Sequence, residues 1–231
     1  MQLRILYQDD YLIAIDKPAG LQVHPPEGGV GPIQNALHLL KKQTGKWLYP
    51  IHRLDRATSG VLLFAFSSEV SGMMQAQFKE KRIRKTYVTM VRGWTKDFES
   101  ILAPLKSEHH TDVVIEAHTD YETLYRFELP SPVGRYQTAR YSLLRVTPHT
   151  GKFHQIRRHM KHLSHPIVGD TVYGDGRHNR LWRELTQTSV MFLKAHSLEF
   201  LHPKTDERVF LRSKWNGYWH KAFDQAGFCP T

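Results

Sequence analysis

One cysteine, Cys229, is present among the 231 residues of this sequence. An intramolecular disulfide framework is therefore excluded, as are zinc sites built from four cysteines or from two cysteines and two histidines. Such cysteine usage fits a reducing, cytoplasmic setting. Long apolar runs are also missing: none approaches the roughly eighteen residues of a membrane span, so no membrane partner is expected. The opening MQLRILYQDDYL is followed by charged residues, not by a secretory signal's apolar stretch and cleavage site. Neither GxGxxG nor GxxxxGK[ST] occurs, and HExxH is absent, so no nucleotide cofactor or zinc-protease site is indicated. Internal repeats and low-complexity tracts are lacking too.

Acid is scarce relative to base, with 22 Asp and Glu against 32 Lys and Arg, a formal net charge of +10. That excess attracts polyanions and favours phosphate contacts, without distinguishing RNA from DNA or from anionic lipid. The basic residues cluster. KEKRIRK at 79–85 holds five basic groups against one acid. Residues 152–165 hold Lys152, Arg157, Arg158 and Lys161 with four histidines and no acid. Two such clusters favour a nucleic-acid surface over two merely solvated faces. The histidines, His154, His159, His162 and His165, sit among cations, which disfavours an added metal ion, and no metal is expected there.

Apolar patterning predicts strands at 5–7, 11–18, 61–67, 86–93, 121–128 and 139–147 and a closing hairpin at 193–203 and 208–212. Helices are predicted at 33–43 behind Pro32, at about 69–81 with Ser68 as a possible cap, at 154–164 before Pro166, and after 213. In the second helix Val70, Met73, Met74, Gln77 and Phe78 share a face, and its methionines read as core filling and not as a binding groove. Residues 94–120 read as an irregular excursion from the main sheet. The expected fold is α+β: one catalytic domain over 1–231, with a mixed, mainly antiparallel sheet flanked by helices.

The densest polar constellation is HRLDRATSG at 52–60, in which Asp55 stands between Arg53 and Arg56 on a loop entering the apolar run 61–67. A loop feeding a buried strand is well held, and a neighbouring arginine would orient the carboxylate as a nucleophile requires. A structural Asp-Arg tie is the plain alternative. GKFHQIR at 151–157 adds a glycine turn, Lys152, His154 and Arg157 at the start of an amphipathic helix, with Ile156 as a possible apolar floor. Tyr87, in KTY at 85–87 beside Lys85, could stack on an unpaired base or be an ordinary strand aromatic.

Taken together, these motifs make the sequence resemble the RluA-type family of pseudouridine synthases. The likeness rests on LYQDDYLIAIDKPAGLQVH (6–24), HRLDRATSG (52–60), KTY (85–87), GKFHQIRRHM (151–160), HPIVGD (165–170) and KAHSLEFLHP (194–203), and so covers nearly the whole chain. IRKTYVTMVRGW (83–94), GRYQTARY (134–141) and the doubled arginine of HQIRRHM point to the branch acting on position 65 of tRNA. The resemblance implies Asp55 as catalytic aspartate, Tyr87 as base-contacting tyrosine, and Arg157 as the basic residue paired with the aspartate. Arg53 matches an arginine that handles the flipped nucleotide, and Ile156 falls in the uracil-pocket wall. Lys85, Lys152, His154 and Arg158 complete the expected RNA- and base-binding set. Lys152 replaces the family's common arginine and gives up its fork of donors. No cofactor and no metal are what the family implies, with a monomer as its default; the separate N-terminal RNA-binding domain that some relatives carry is not expected here. Large-subunit ribosomal RNA is the alternative substrate, and a non-enzymatic RNA-binding or chaperone protein is the alternative of another class.

Overall fold

The computed structural model describes residues 1–25, 34–107 and 113–230. Chain contacts divide it into two compact units, Met1–Lys85 with Lys194–Lys214, and Thr86–Leu193 with Trp215–Thr231. In chain order the first unit contributes β1 (Arg4–Gln8), β2 (Leu12–Lys17), α1 (Ala36–Thr44), β3 (Tyr49–Pro50), β4 (Ser59–Ala65) and α2 (Ser68–Lys79). Then come β5 (Arg84–Arg92), β6 (Phe98–Ile101), β7 (Leu105–Lys106), β8 (Val114–Ile115), β9 (Thr119–Leu129), β10 (Ala139–Pro148), α3 (Gln155–His162) and α4 (Gly176–Thr186). The chain returns to the first unit through β11 (Leu193–Leu201) and β12 (Arg208–Arg212) and ends on α5 (Gly217–Ala226) in the second.

In the first unit β2 lies antiparallel between β1 and β4, and β3 is antiparallel to β4. The parallel pairing is between β4 and β11, Lys194 opposite Ser59 and Ala195 opposite Gly60, and β12 closes a hairpin on β11. All seven residues of β4 are buried, which is why SGVLLFA reads as a continuous apolar run. Val61, Leu63 and Ala65 join Leu12, Ala14, Leu198 and Leu211 in one core, with Val70 and Met74 of α2 added. Two details of α2 differ from expectation. Ser67, not Ser68, caps it, its side chain accepting from the Val70 amide at 3.2 Å. Met73 is exposed, because one position of rotation carries it off the face that buries Met74. The start of the first predicted helix, Pro32 and Ile33, lies outside the described residues; α1 begins later, capped by Asn35.

The second unit is an antiparallel meander in which β10 pairs with β5 and β9, and β9 with β6. The irregular excursion expected at 94–120 is therefore only partly right: β6 joins the meander, while β7 and β8 pair apart. Helix α4 escapes sequence reading because RHNRLWRELT shows apolar spacing only at Leu181, Trp182 and Leu185. Asp175 caps it, and Trp182 enters the core beside Phe127, Tyr141, Phe192, Trp219 and Phe223. The sheet is thus mixed and mainly antiparallel, with flanking helices. No described helix is long and apolar enough to cross a membrane.

Candidate active site

Asp55 stands on the irregular segment just ahead of β4, half-buried, with Arg53 and Arg56 exposed on either side. Four local devices fix that segment. The Thr58 amide donates to the Asp55 carbonyl at 3.0 Å, closing a turn directly after the carboxylate. The Arg56 carbonyl accepts from the Gly20 amide at 2.8 Å, and Arg56 Nε returns a bond to the Gly20 carbonyl at 3.1 Å. His52 Nε2 accepts from the Leu63 amide at 3.1 Å, so the ring's proton sits on Nδ1. Burial, and then the charge of Lys85, push the His52 pKa down to about 4, which makes it a neutral acceptor at physiological pH. At the foot of β4, Gly60 holds φ at +114°, and a Cβ there would lie 2.0 Å from the Ala195 carbonyl oxygen. Only glycine permits this approach of β4 to β11.

Lys17 is the residue of this unit that sequence reading missed. It ends β2 with no exposed surface, and its ammonium donates to the carbonyls of Pro18 (3.0 Å), Leu21 (2.8 Å) and Arg56 (3.2 Å). Burial lowers its pKa to about 7, and the Asp55 carboxylate acts in the opposite direction. Lys17 therefore ties the opening motif to the Asp55 loop and places a positive charge within the field of that carboxylate. DKP in the opening motif contained the signal: a lysine closing an apolar strand has to find acceptors inside the protein. Lys85, half-buried, is also pushed down by desolvation.

The remaining predicted residues belong to the second unit. Tyr87 lies on β5 opposite Val146, half-buried, and strand alternation turns it away from the core face occupied by Val88 and Met90. Ile156 and Arg157 open α3, 6% and 5% exposed. His154 precedes them in the left-handed region, φ 51° and ψ 28°; its ring stacks on Phe153 with centroids 3.7 Å apart, and Nδ1 lies 3.2 Å from the Tyr173 hydroxyl. Lys152 is exposed, while Arg158 donates to the Lys106 carbonyl at 2.9 Å.

Arg157 makes a two-pronged pair with Asp170, Nε to Oδ2 at 2.7 Å and Nη2 to Oδ1 at 2.9 Å. Asp170 is 1% exposed and also accepts from the amides of Val172 and Tyr173. Desolvation works to raise its pKa, but the Arg157 bonds and the two amides outweigh it and hold the carboxyl below the ordinary range. The Tyr173 ring lies 5.1 Å from the Arg157 guanidinium carbon, so one tyrosine contacts both Arg157 and His154. Neither Asp170 nor Tyr173 was assigned a role from sequence. The missed cue was the need of a buried arginine for a planar, two-oxygen acceptor, together with the HPIVGD turn. Gly169 makes that turn possible, at φ +81° with the Val190 carbonyl oxygen 2.0 Å from where a Cβ would stand.

Comparison with known proteins agrees with the family likeness. The family model described as RNA pseudouridylate synthase matches residues 11–162, a stretch holding every predicted site residue. The chain belongs to that family. Among curated relatives, tRNA pseudouridine synthase C of Haemophilus influenzae is 44% identical over 98% of both chains. The protein of the same name from Pasteurella multocida is 45% identical over 95% of this chain and 94% of its own. Human RNA pseudouridylate synthase domain containing 4 has the same fold at 20% identity, with a TM-score of 0.74 over 97% of this chain and 93% of its own.

Proposed function

We propose that this protein converts uridine to pseudouridine in tRNA, at position 65, with Asp55 as its catalytic carboxylate. The observation that carries this reading is likeness over 98% of both chains to a protein named tRNA pseudouridine synthase C, with the HRLD carboxylate on a pinned loop. The reaction breaks the uridine N1–C1′ bond, turns the freed uracil, and joins its C5 to C1′. The C5 proton is lost and N1 ends protonated, so atoms balance without an oxidant or a second substrate. Asp55 assists departure of the base, by attack at C1′ or by removal of the 2′ proton.

A paired base has to be extruded first, at a cost of a few kcal/mol. Phosphate contacts from exposed Arg53 and Lys152 and from the 79–85 cluster offset that cost, as does stacking of the base on Tyr87. Ile156 supplies apolar wall to the uracil pocket. Arg157 is held by Asp170, so its guanidinium is presented in one orientation and not as a mobile charge. Lys17 ties the Arg56 carbonyl beside Asp55 to the opening motif and contributes a nearby positive charge. Lys85, His154 and Arg158 complete the RNA-facing set, and the protein acts as a cytoplasmic monomer.

The test is carbodiimide mapping of pseudouridine in total RNA from cells lacking the gene, complemented with wild type or Asp55→Ala. The expected result is a stop at tRNA position 65 that vanishes in the deletion and returns with wild type alone. A lost stop in ribosomal RNA with tRNA unchanged would overturn the substrate and keep the chemistry. Full activity of purified Asp55→Ala on an unmodified transcript would overturn the catalytic assignment.

A further inference from the structure

A second constellation lies in the second unit where β6, β9 and β10 end together. His118 immediately precedes β9, Asp120 is its second residue, and His149 follows the last residue of β10. Strand register aligns them: Ser100 of β6 is opposite Asp120, and Thr119 is opposite Pro148. His118 Nε2 lies 3.0 Å from Asp120 Oδ1, and His149 Nε2 lies 2.6 Å from Asp120 Oδ2. The two imidazoles stack, with centroids 4.1 Å apart and 22° between planes, so both Nε2 atoms face one carboxylate. The Ser100 hydroxyl stands 2.9 Å from His118 Nε2. Side-chain exposures of 35%, 26% and 39% for His118, Asp120 and His149 leave the group open to solvent on one side.

We propose that His118, Asp120 and His149 form a site for a divalent transition-metal ion, zinc being the best match. Two imidazole nitrogens and one carboxylate oxygen are a borderline donor set, which suits zinc, cobalt or nickel and not calcium or magnesium, whose shells are all oxygen. The three ligand atoms lie within 4.8 Å of one another. Tetrahedral zinc with bonds of about 2.0–2.1 Å separates its ligands by about 3.3 Å, so small side-chain rotations suffice. As Nε2 of each ring turns from Asp120 to the ion it gives up its proton, and the neutral imidazole carries one on Nδ1 instead, so no net charge is lost from either ring. Water, or the Ser100 hydroxyl, takes the fourth position.

The site's backbone says what the ion would do. The His118 carbonyl accepts from the His149 amide (3.0 Å) and from Gln155 Nε2 (2.9 Å), and the His118 amide donates to Thr150 Oγ1 (3.0 Å). Thr150 Oγ1 in turn donates to Gln155 Oε1 at 2.6 Å. A metal bridging residues 118, 120 and 149 therefore staples the segment that leads into α3, the helix bearing Ile156 and Arg157. The inference is independent of the RNA substrate and of the catalytic role of Asp55.

The test uses the full chain, stripped with chelator and titrated with zinc chloride by calorimetry and with cobalt chloride by visible absorbance. Wild type is expected to bind one equivalent of zinc with a Kd on the order of 1 µM. The cobalt form should show an intense tetrahedral band. Free zinc at 100 times Kd should raise the melting temperature by about 5 °C. His149→Ala and Asp120→Asn should weaken binding at least about a hundredfold and abolish the thermal shift, whereas His220→Ala should change neither. Asp120→Asn keeps the shape of the side chain, so it reads binding even if an alanine variant folds poorly. No saturable binding by wild type at about 100 µM zinc would overturn the proposal. An equivalent retained in both variants, placing the ion on other histidines or Cys229, would overturn it as well.

Discussion

Asp170 offers a sharp test of how Arg157 is held, because its two oxygens have different work. Oδ1 accepts from Arg157 Nη2 and from the amides of Val172 and Tyr173, while Oδ2 accepts from Arg157 Nε alone. In Asp170→Asn an amide oxygen can keep the three Oδ1 bonds, and the amide NH2 then opposes Arg157 Nε, donor against donor. The loss is one charged hydrogen bond and the ion pair's charge, about 1.5–3 kcal/mol. Asp170→Ala removes all four bonds from a buried pair and should cost about 3–5 kcal/mol. At roughly 2–4 °C per kcal/mol for a chain of this size, melting should fall about 5 °C for Asn and about 10 °C for Ala. Acid supplies a second arm. The Asp170 pKa is lower folded than unfolded, so its contribution is present above the unfolded value, about 3.8, and disappears as pH falls through the folded one. The gap between wild type and Asp170→Asn in denaturant unfolding should therefore narrow below about pH 4. An alanine variant within about 0.5 kcal/mol of wild type, or a gap that widens in acid, would refute the anchoring role.

Three further outcomes follow from single contacts. Lys17 has a pKa of about 7 folded against 10.5 in its unshifted state, so the unfolded chain binds more protons between those values and stability rises with pH there. From about pH 6.5 to about pH 9 wild type should gain about 2.5 kcal/mol over Lys17→Met in denaturant unfolding, and parallel curves would exclude the shift. Gly60→Ala puts a Cβ 2.0 Å from the Ala195 carbonyl oxygen and should cost about 3 kcal/mol or more. By contrast Gly72→Ala, with open space on α2, should be stabilising by about 0.5–1 kcal/mol, both read by thermal melting. Tyr87→Ala should weaken binding of a substrate stem by about 1–3 kcal/mol in filter assays, while Tyr87→Phe keeps the affinity. Equal losses in both would move the effect from the ring to the hydroxyl.

Elements with a strong period or a complete apolar run were legible from sequence: β2, β4, α2, α3 and the β11–β12 hairpin all stand within a few residues of expectation. What failed was what depends on partners distant in sequence. Helix α4 is mostly polar and exists because Trp182 docks among Phe127, Tyr141 and Phe192. Strand β6 is four residues long and is a strand because β9 offers it a register from Thr119 to Glu122. Asp55, Tyr87 and Arg157 were recognisable from their motifs. Lys17 and Asp170 also lie in quoted motifs, DKP and HPIVGD, but which residue each one holds depends on partners distant in sequence and could not be read there.

That asymmetry has a physical origin. Residues proposed to meet RNA are exposed or half-buried at Arg53, Asp55, Tyr87 and Lys152, whereas the groups that hold the loops are buried at Lys17, Gly60 and Asp170. A buried ion seldom adds stability over an apolar side chain of equal size, so three carbonyls on one lysine and a forked pair on one aspartate call for another explanation. Orientation supplies it. Opening a base pair already consumes binding energy, and if Asp55 acts as proposed, a carboxylate that wandered by an ångström would waste what remains, since reactive geometry tolerates little displacement. Fixing the Asp55 backbone through Lys17 and His52, and Arg157 through Asp170, meets that cost when the chain folds, before any RNA arrives. Conservative changes at Lys17 and Asp170 should then lower kcat more than they raise KM, because substrate can still dock on the exposed residues while the reactive geometry loosens. Single-turnover rates beside binding constants for Asp170→Asn would expose the opposite pattern, weaker binding with an unchanged rate, and with it a purely docking role for Arg157.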